Sequence, residues 1–304
     1  MQGNWNNFYE RFAATAGRFA GHVAVEALHR DGIETVTYGE VQKQAVAAAR
    51  FLEAHGIQPG DRCAILADND IAWSTAYLGI LRAGAVAVPF DTHYMPQQIA
   101  RLLQDSGARI IFTTDRYAAN VKEACILAGG SPVLALLRGS FPGLESLSAS
   151  VNAPDGRPLR AQGASAEDPA VILYTSGTTS DPKGVVLTHG NLLAEAEAVF
   201  ARLELDESDS ILGVMPLYHS LAQMANLLLP FVVGARVIYL EEINATEMLR
   251  ALGERRPTIF CCVPQFFYLL HQRVLGKVSA GDGLARHFSA FCSVRISSYA
   301  ARWG

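Results

Sequence analysis

"AVILYTSGTTSDPKGVVLTHGN", residues 170–191, sets an apolar run against a loop of hydroxyls. Residues 170–175 are mostly aliphatic, β-branched or aromatic, the composition of a buried strand. Thr175, Ser176, Thr178, Thr179 and Ser180 then follow with only Gly177 between them, and Pro182, Lys183 and Gly184 close the loop. "THGNLLAEAEAVFARL" continues with helical spacing. The reading is strand, polar loop, helix. In an open α/β sheet such a loop lies at the carboxyl edge, where ligands bind. Gly177 and Gly184 let the backbone approach a ligand and turn N–H groups toward it. The hydroxyls donate to phosphate oxygens and Lys183 adds a positive charge, a set suited to a polyphosphate and a departing pyrophosphate. A serine-rich turn with a solvated lysine has the same composition. The position after a buried strand and the Pro-Lys-Gly ending favour phosphate handling. The loop is not a Walker A sequence, because Lys183 is followed by Gly184 rather than by Ser or Thr.

Outward from the loop, strands and helices alternate. "VAVEALHRDGIETVTYGEV" is expected to form a hairpin turning at Asp31-Gly32. A helix over Tyr38 to His55 closes at Gly56. "RCAILA", "AVAVPF" and "ARIIFTT" read as strands separated by the helices "DIAWSTAYLGILRAG" and "PQQIARLLQDSG". From 139 to 169 the chain is rich in Gly, Ser, Pro and Ala without a sustained period, a surface connection. Beyond it the alternation resumes. "DSILGVM", "ARVIYL" and "TIFCCV" read as strands, and "SLAQMANLLLPFVVG", "NATEMLRALGERRP" and "PQFFYLLHQRVL" as helices, with Asn244 an N-cap. The expected fold class is α/β: two doubly wound parallel-sheet subdomains, 1–138 and 170–304, joined by 139–169.

The 304 residues, 50% hydrophobic and 18% charged, suffice for a large core and exclude disorder. A net charge of −4 argues against a nucleic-acid surface. Five scattered cysteines without a C-x-x-C pair make neither a disulfide framework nor a zinc site, and fit a reducing cytoplasm. The N-terminus lacks the basic start and apolar stretch of a signal peptide. The longest uncharged stretch, Ser220 to Ala235, contains Pro230 and Gly234 and is too short to span a bilayer. No transmembrane span is expected, and peripheral membrane contact stays open.

"YTSGTTSDPKGVVLTHGN" resembles the phosphate-loop signature of the adenylate-forming superfamily, which includes acyl-CoA synthetases, luciferases and peptide-synthetase adenylation domains. "TYGEV", "LGILRAGAVAVPFD" and "VMPLYHS" resemble further family segments in the expected order. Ser180 stands where the family most often has Gly. The resemblance implies that a carboxylate attacks the α-phosphate of Mg2+-bound ATP to give an acyl-adenylate, and that a thiol, usually of coenzyme A, then displaces AMP. It also implies a role for His219 in lining the acid pocket near the reacting carboxylate, with Tyr218 either a pocket wall or core. Phe266 and Phe267 in "VPQFFYLLHQRV" are more often core at such spacing, but resemble the segment bordering the acyl tunnel of fatty acyl-CoA synthetases. Together with "PLYHS" they point to a medium- or long-chain fatty acid. Asp91 is assigned no catalytic role.

The family carries further signatures: an aromatic-Gly-x-Thr-Glu loop, a ribose-binding aspartate, a hinge and a small C-terminal domain with a catalytic lysine. None occurs here, so the fold is expected to be the N-terminal domain, truncated before the C-terminal one. The ending "FSAFCSVRISSYAARWG" reads as a shifted frame, a truncated gene or a natural end. A non-catalytic nucleotide-binding remnant and acyl transfer to a carrier protein are the alternatives.

Overall fold

The computed structural model describes residues 5–130, 132–151, 159–160, 163–175 and 183–279. Helix α1 (Phe8–Arg18) opens the chain, capped by Asn7, whose side chain accepts the Glu10 N–H at 2.9 Å. Strands β1 (Val23–Leu28) and β2 (Ile33–Thr37) form the expected antiparallel hairpin, with the His29 N–H bonded to the Gly32 carbonyl at 2.9 Å. Helix α2 (Tyr38–Ala54) starts from a reciprocal Thr37–Glu40 capping box. Then come β3 (Arg62–Leu66), α3 (Ile71–Arg82), β4 (Val86–Pro89), α4 (Pro96–Ser106), β5 (Ile110–Thr113), α5 (Asp115–Ala128) and β6 (Val133–Leu136). Strands β3 to β6 pair in parallel, as alternating strand and helix require. Helices α2 and α3 pack so closely at Gly79 that a Cβ there would lie 2.4 Å from the Ala48 Cβ. The connection is not featureless: it holds β7 (Glu145–Ser146), parallel to β6, and α6 (Leu147–Val151).

The second half departs from expectation in three places. After β8 (Pro169–Thr175) the chain does not enter a helix directly. It returns as β9 (Lys183–Thr188), antiparallel to β8, and only then forms α7 (His189–Phe200). "GVVLT" pairs with "AVILYT" because both are β-branched runs, so β-propensity and pairing override the helical spacing that begins at Thr188. Strands β10 (Ser210–Leu212) and β11 (Arg236–Leu240) flank the buried helical run α8 (Ser220–Gln223), a π-helical turn (Met224–Leu228) and α9 (Leu229–Val233). After α10 (Ala245–Glu254), "TIFCCV" does not form a strand: only Ile259 bridges, to Ile211. Helix α11 (Pro264–Ser279) follows. The sequence also reads as a strand near Phe288 to Val294, which lies outside the described residues.

The sheets also do not follow the division of the chain at 139–169. The seven-stranded sheet has the order β7-β6-β5-β3-β4-β8-β9, so it takes the β8–β9 hairpin from the second half. The four-stranded sheet, β10-β11-β1-β2, takes its hairpin from the first. β4 pairs with β8 in parallel and β1 with β11 in parallel, and these two exchanges stitch the halves together. Between the sheets lies one core containing Trp73, Tyr77, Phe12, Phe231 and Tyr38, with Trp73 stacked on Tyr77 at 5.4 Å.

Candidate functional site

Because β8 runs parallel to β4, the loop after β8 still emerges at the carboxyl edge of the parallel strands. Its described flanks are two antiparallel strands, β8 and β9, rather than a strand and a helix. Thr175 and Lys183 are register partners at its mouth, which places the first hydroxyl opposite the positive charge. Ser176, Gly177, Thr178, Thr179 and Ser180 lie outside the described residues. Gly184 has a packing reason of its own: a Cβ there would stand 2.8 Å from the Ile172 Cγ2 and 3.3 Å from the Tyr174 ring. The glycine leaves room for the Ile172 side chain and the Tyr174 ring. Tyr174, which carried no signal of its own in the sequence, then anchors β8. Its hydroxyl donates to the Asp105 carboxylate of α4 at 2.6 Å, and its ring meets Phe90 edge-on at 6.1 Å. Burial, with Asp105 beside it, pushes this phenol well up, so it stays a donor.

The base of the hairpin is fixed by a second residue that sequence reasoning passed over. His189, the first residue of α7, is fully buried. Its Nδ1 accepts the Phe8 N–H at 3.4 Å, and Asp168 precedes the hairpin beside it. Burial pushes the imidazole down to about 4, against the pull of Asp168, so it is neutral at pH 7.

The "PLYH" segment follows β10. Tyr218 is half-buried, His219 is exposed, and their rings lie 4.6 Å apart. Burial, and then Asp91 just past β4, push the Tyr218 phenol well up. Asp91 also accepts the His93 N–H at 2.8 Å, with the His93 Nδ1 at 2.9 Å. Burial raises the Asp91 pKa, but these hydrogen bonds outweigh it and hold the carboxyl below its ordinary range. Asp68, past β3, accepts from the Tyr117 hydroxyl at 2.9 Å and pairs with Arg116 at 3.1 Å. The Tyr117 phenol is pushed up to about 12 by burial and then by Asp68.

The aromatic pair on α11 separates. Phe266 packs against the core cluster of Leu212, Val214 and Met215, whereas Phe267 is 51% exposed and meets Phe260 edge-on at 5.7 Å. Among the described residues, no three His, Cys, Asp or Glu side chains gather as a metal-binding set. None of the described helices is long and apolar enough to cross a membrane.

The AMP-binding enzyme family matches residues 12–300. The chain belongs to that family. It is 32% identical over 238 residues to a feruloyl-CoA synthase of Amycolatopsis, covering 78% of this chain and 45% of that protein. It is 33% identical over 286 residues to a long-chain-fatty-acid–CoA ligase of Mycobacterium bovis, covering 90% of this chain and 46% of that one. A benzoate CoA ligase from Burkholderia xenovorans superposes with a TM-score of 0.77 at 28% identity, over 88% of this chain and 52% of its own. The chain thus spans about half the length of the curated relatives it matches. Its fold is that of the N-terminal domain of adenylate-forming enzymes.

Proposed function

We propose that this site activates a medium- or long-chain fatty acid with ATP and passes the acyl group to coenzyme A. The supporting observation is the hairpin at the carboxyl edge, with Lys183 facing Thr175 at its mouth. Lys183, the hydroxyls of Thr175 and Ser176, and those of Thr178, Thr179 and Ser180 grip the β and γ phosphates, while Gly177 lets the backbone approach. Magnesium enters as the companion of ATP. A carboxylate oxygen attacks the α-phosphorus, the bond to pyrophosphate breaks, and an acyl-adenylate forms. The grip on pyrophosphate stabilises the charge that develops on it. The sulfur of coenzyme A then attacks the acyl carbon and AMP departs. His219 and Tyr218 line the acid end of the pocket. Phe267 and the exposed part of α11 supply an apolar wall.

Binding and turnover are tested separately, because the chain spans about half the length of its relatives. Acids from acetate to palmitate should displace a fluorescent fatty acid more strongly with length, at about 0.8 kcal/mol per buried methylene. Turnover is read as AMP and acyl-CoA formed from ATP, magnesium and coenzyme A. Tightest binding of acetate, ferulate or an amino acid would remove the fatty-acid assignment. Lys183→Ala should weaken ATP binding by about 1.5–3 kcal/mol, the worth of one charge-assisted contact. An unchanged affinity would take Lys183 out of the phosphate site.

A further inference from the structure

The loop that carries Tyr218 and His219 leaves the four-stranded sheet after Leu212, where the Gly213 N–H makes a last bond to the Ile238 carbonyl of β11 at 2.9 Å, and among the described residues no strand pairs with it beyond that point. It is held instead by one side chain from the other sheet. Asn69, in the turn between β3 and α3, accepts the Leu217 N–H through its Oδ1 at 2.9 Å. Its Nδ2 donates to the Met215 carbonyl at 2.8 Å and lies 3.4 Å from the Gly213 carbonyl. Leu217 is fully buried and Met215 is 5% exposed, so water is a poor substitute for these partners. One amide supplies the acceptor and both donors that alternate residues of the loop need, as a neighbouring strand would. Only Asn or Gln offers that combination, and the short reach from the turn selects Asn.

The next residue is held from the same side. Asp91 acts electrostatically on the Tyr218 phenol, and is itself fixed by the His93 N–H at 2.8 Å. The Tyr218 ring then supports the exposed His219 ring at 4.6 Å. Positions 213, 215 and 217 are thus tied to a turn at the carboxyl edge of the seven-stranded sheet, the edge from which the β8–β9 hairpin also emerges, and Asp91 stands at the same edge. We propose that Asn69 and Asp91 are positioning residues. They set His219 and Tyr218 on the same rigid edge as the phosphate loop, and so fix the acid against the nucleotide. This rests on the acid-activating function proposed above. Neither residue touches a reacting atom. Their contribution is alignment, which in-line attack demands to within about half an ångström.

The test uses the 304-residue protein with isotope-labelled histidine and tyrosine. Asn69→Asp keeps the acceptor, loses the donors and sets a charge against two carbonyls. It should shift or broaden the His219 and Tyr218 ring resonances while leaving His22 and His55 in place. Displacement of a fluorescent fatty acid should weaken about tenfold or more. Leu52→Ala, a buried position on α2 remote from the loop, lowers stability without moving either readout. In a His219→Ala background Asn69→Asp should cost less affinity than in the unaltered protein, because only Tyr218 remains to be displaced. Unmoved His219 and Tyr218 resonances would overturn the proposal. So would an equal loss in Leu52→Ala, or a full additional loss in the His219→Ala background. If the unaltered protein binds no fatty acid, the proposed function fails, and the resonances still decide the positioning. If Asn69→Asp does not fold, Asp91→Asn and Tyr218→Phe replace it. They should shift the His219 resonances alike, with effects that do not add; additive or absent shifts reject the proposal.

Discussion

Strands β3, β4 and β5 and strand β9 belong to one sheet and are built from similar residues, yet they live in different surroundings. The three inner strands are almost wholly buried, with strands on both sides. Strand β9 is the edge, and Val185 and Val186 are 46% and 51% exposed. Consecutive strand residues point to opposite faces, so β9 is uncovered on both. An apolar β-branched run therefore specifies a strand but not its burial; its place in the sheet decides that. The division also suits function. The inner strands make a platform whose carboxyl ends carry Asp68, Asn69 and Asp91. The edge hairpin carries the hydroxyl loop proposed above to hold phosphates, at a position with a neighbouring strand on one side only.

The largest effect that would sharpen this contrast comes from the platform. Phe112 in β5 is fully buried and its ring meets Phe51 of α2 at 5.9 Å. Phe112→Ala removes that packing and leaves a cavity, at a cost of about 3–5 kcal/mol. Urea denaturation should show the midpoint falling with little change of slope. A loss below about 1 kcal/mol would mean that the inner strands are no more rigid than the edge.

The base of the hairpin should behave like the platform, and pH reveals it. His189 has an ordinary imidazole pKa of about 6.5 when unfolded and about 4 in the folded protein. Between these values the unfolded chain binds more protons, so stability falls as pH drops through that window and is fully present above it. From pH 6.5 to pH 5 the loss attributable to this group approaches about 2 kcal/mol. The difference in unfolding free energy between the unaltered protein and His189→Gln should therefore shrink toward acid pH. A difference that stays constant from pH 7 to pH 5 would show that His189 titrates normally, and that the hairpin is as loosely held at its base as at its edge.

Much of the platform was legible because period and punctuation agree there. "RCAILA", "AVAVPF" and "ARIIFTT" are short aliphatic runs, and Gly84 and Gly107 end the intervening helices with positive φ. Asp31-Gly32 announced its hairpin in the same way. Strand β9 was not legible, because "GVVLT" runs without a break into the helical spacing of "THGNLL", and only pairing with β8 separates the two. "TIFCCV" misled in the opposite direction: its composition is that of a strand, but its pairing with β10 stops at Thr258 and Ile259 and leaves one isolated bridge. The exchange of hairpins between the sheets depends on pairings between distant residues, Ala87 with Val171 and Val25 with Val237, which no local period encodes. Of the site, Lys183 and the hydroxyl loop stood out by composition. Asn69, Tyr174 and His189 did not, since each is a single polar residue whose partners come from distant parts of the chain.

The smallest predicted effect tests the comparison most directly, because it makes one substitution twice. Val88 in β4 and Val186 in β9 are both valines of the same sheet, fully buried and 51% exposed respectively. Threonine has nearly the shape of valine and a similar strand propensity, so Val→Thr changes little except the addition of a hydroxyl. At Val88 both faces of the strand are covered, and the backbone carbonyls nearby are committed to β3 and β8. The buried hydroxyl should cost about 1–3 kcal/mol. At Val186 the hydroxyl reaches water, and the change should stay within about 0.5 kcal/mol. Both variants are measured by urea unfolding at pH 7, where His189 is neutral in the folded protein. A cost at Val186 as large as that at Val88 would mean that β9 is covered in solution, and the contrast between platform and edge would collapse. A cost near zero at both would place the fault at β4 and show that the inner strands admit water or a spare acceptor.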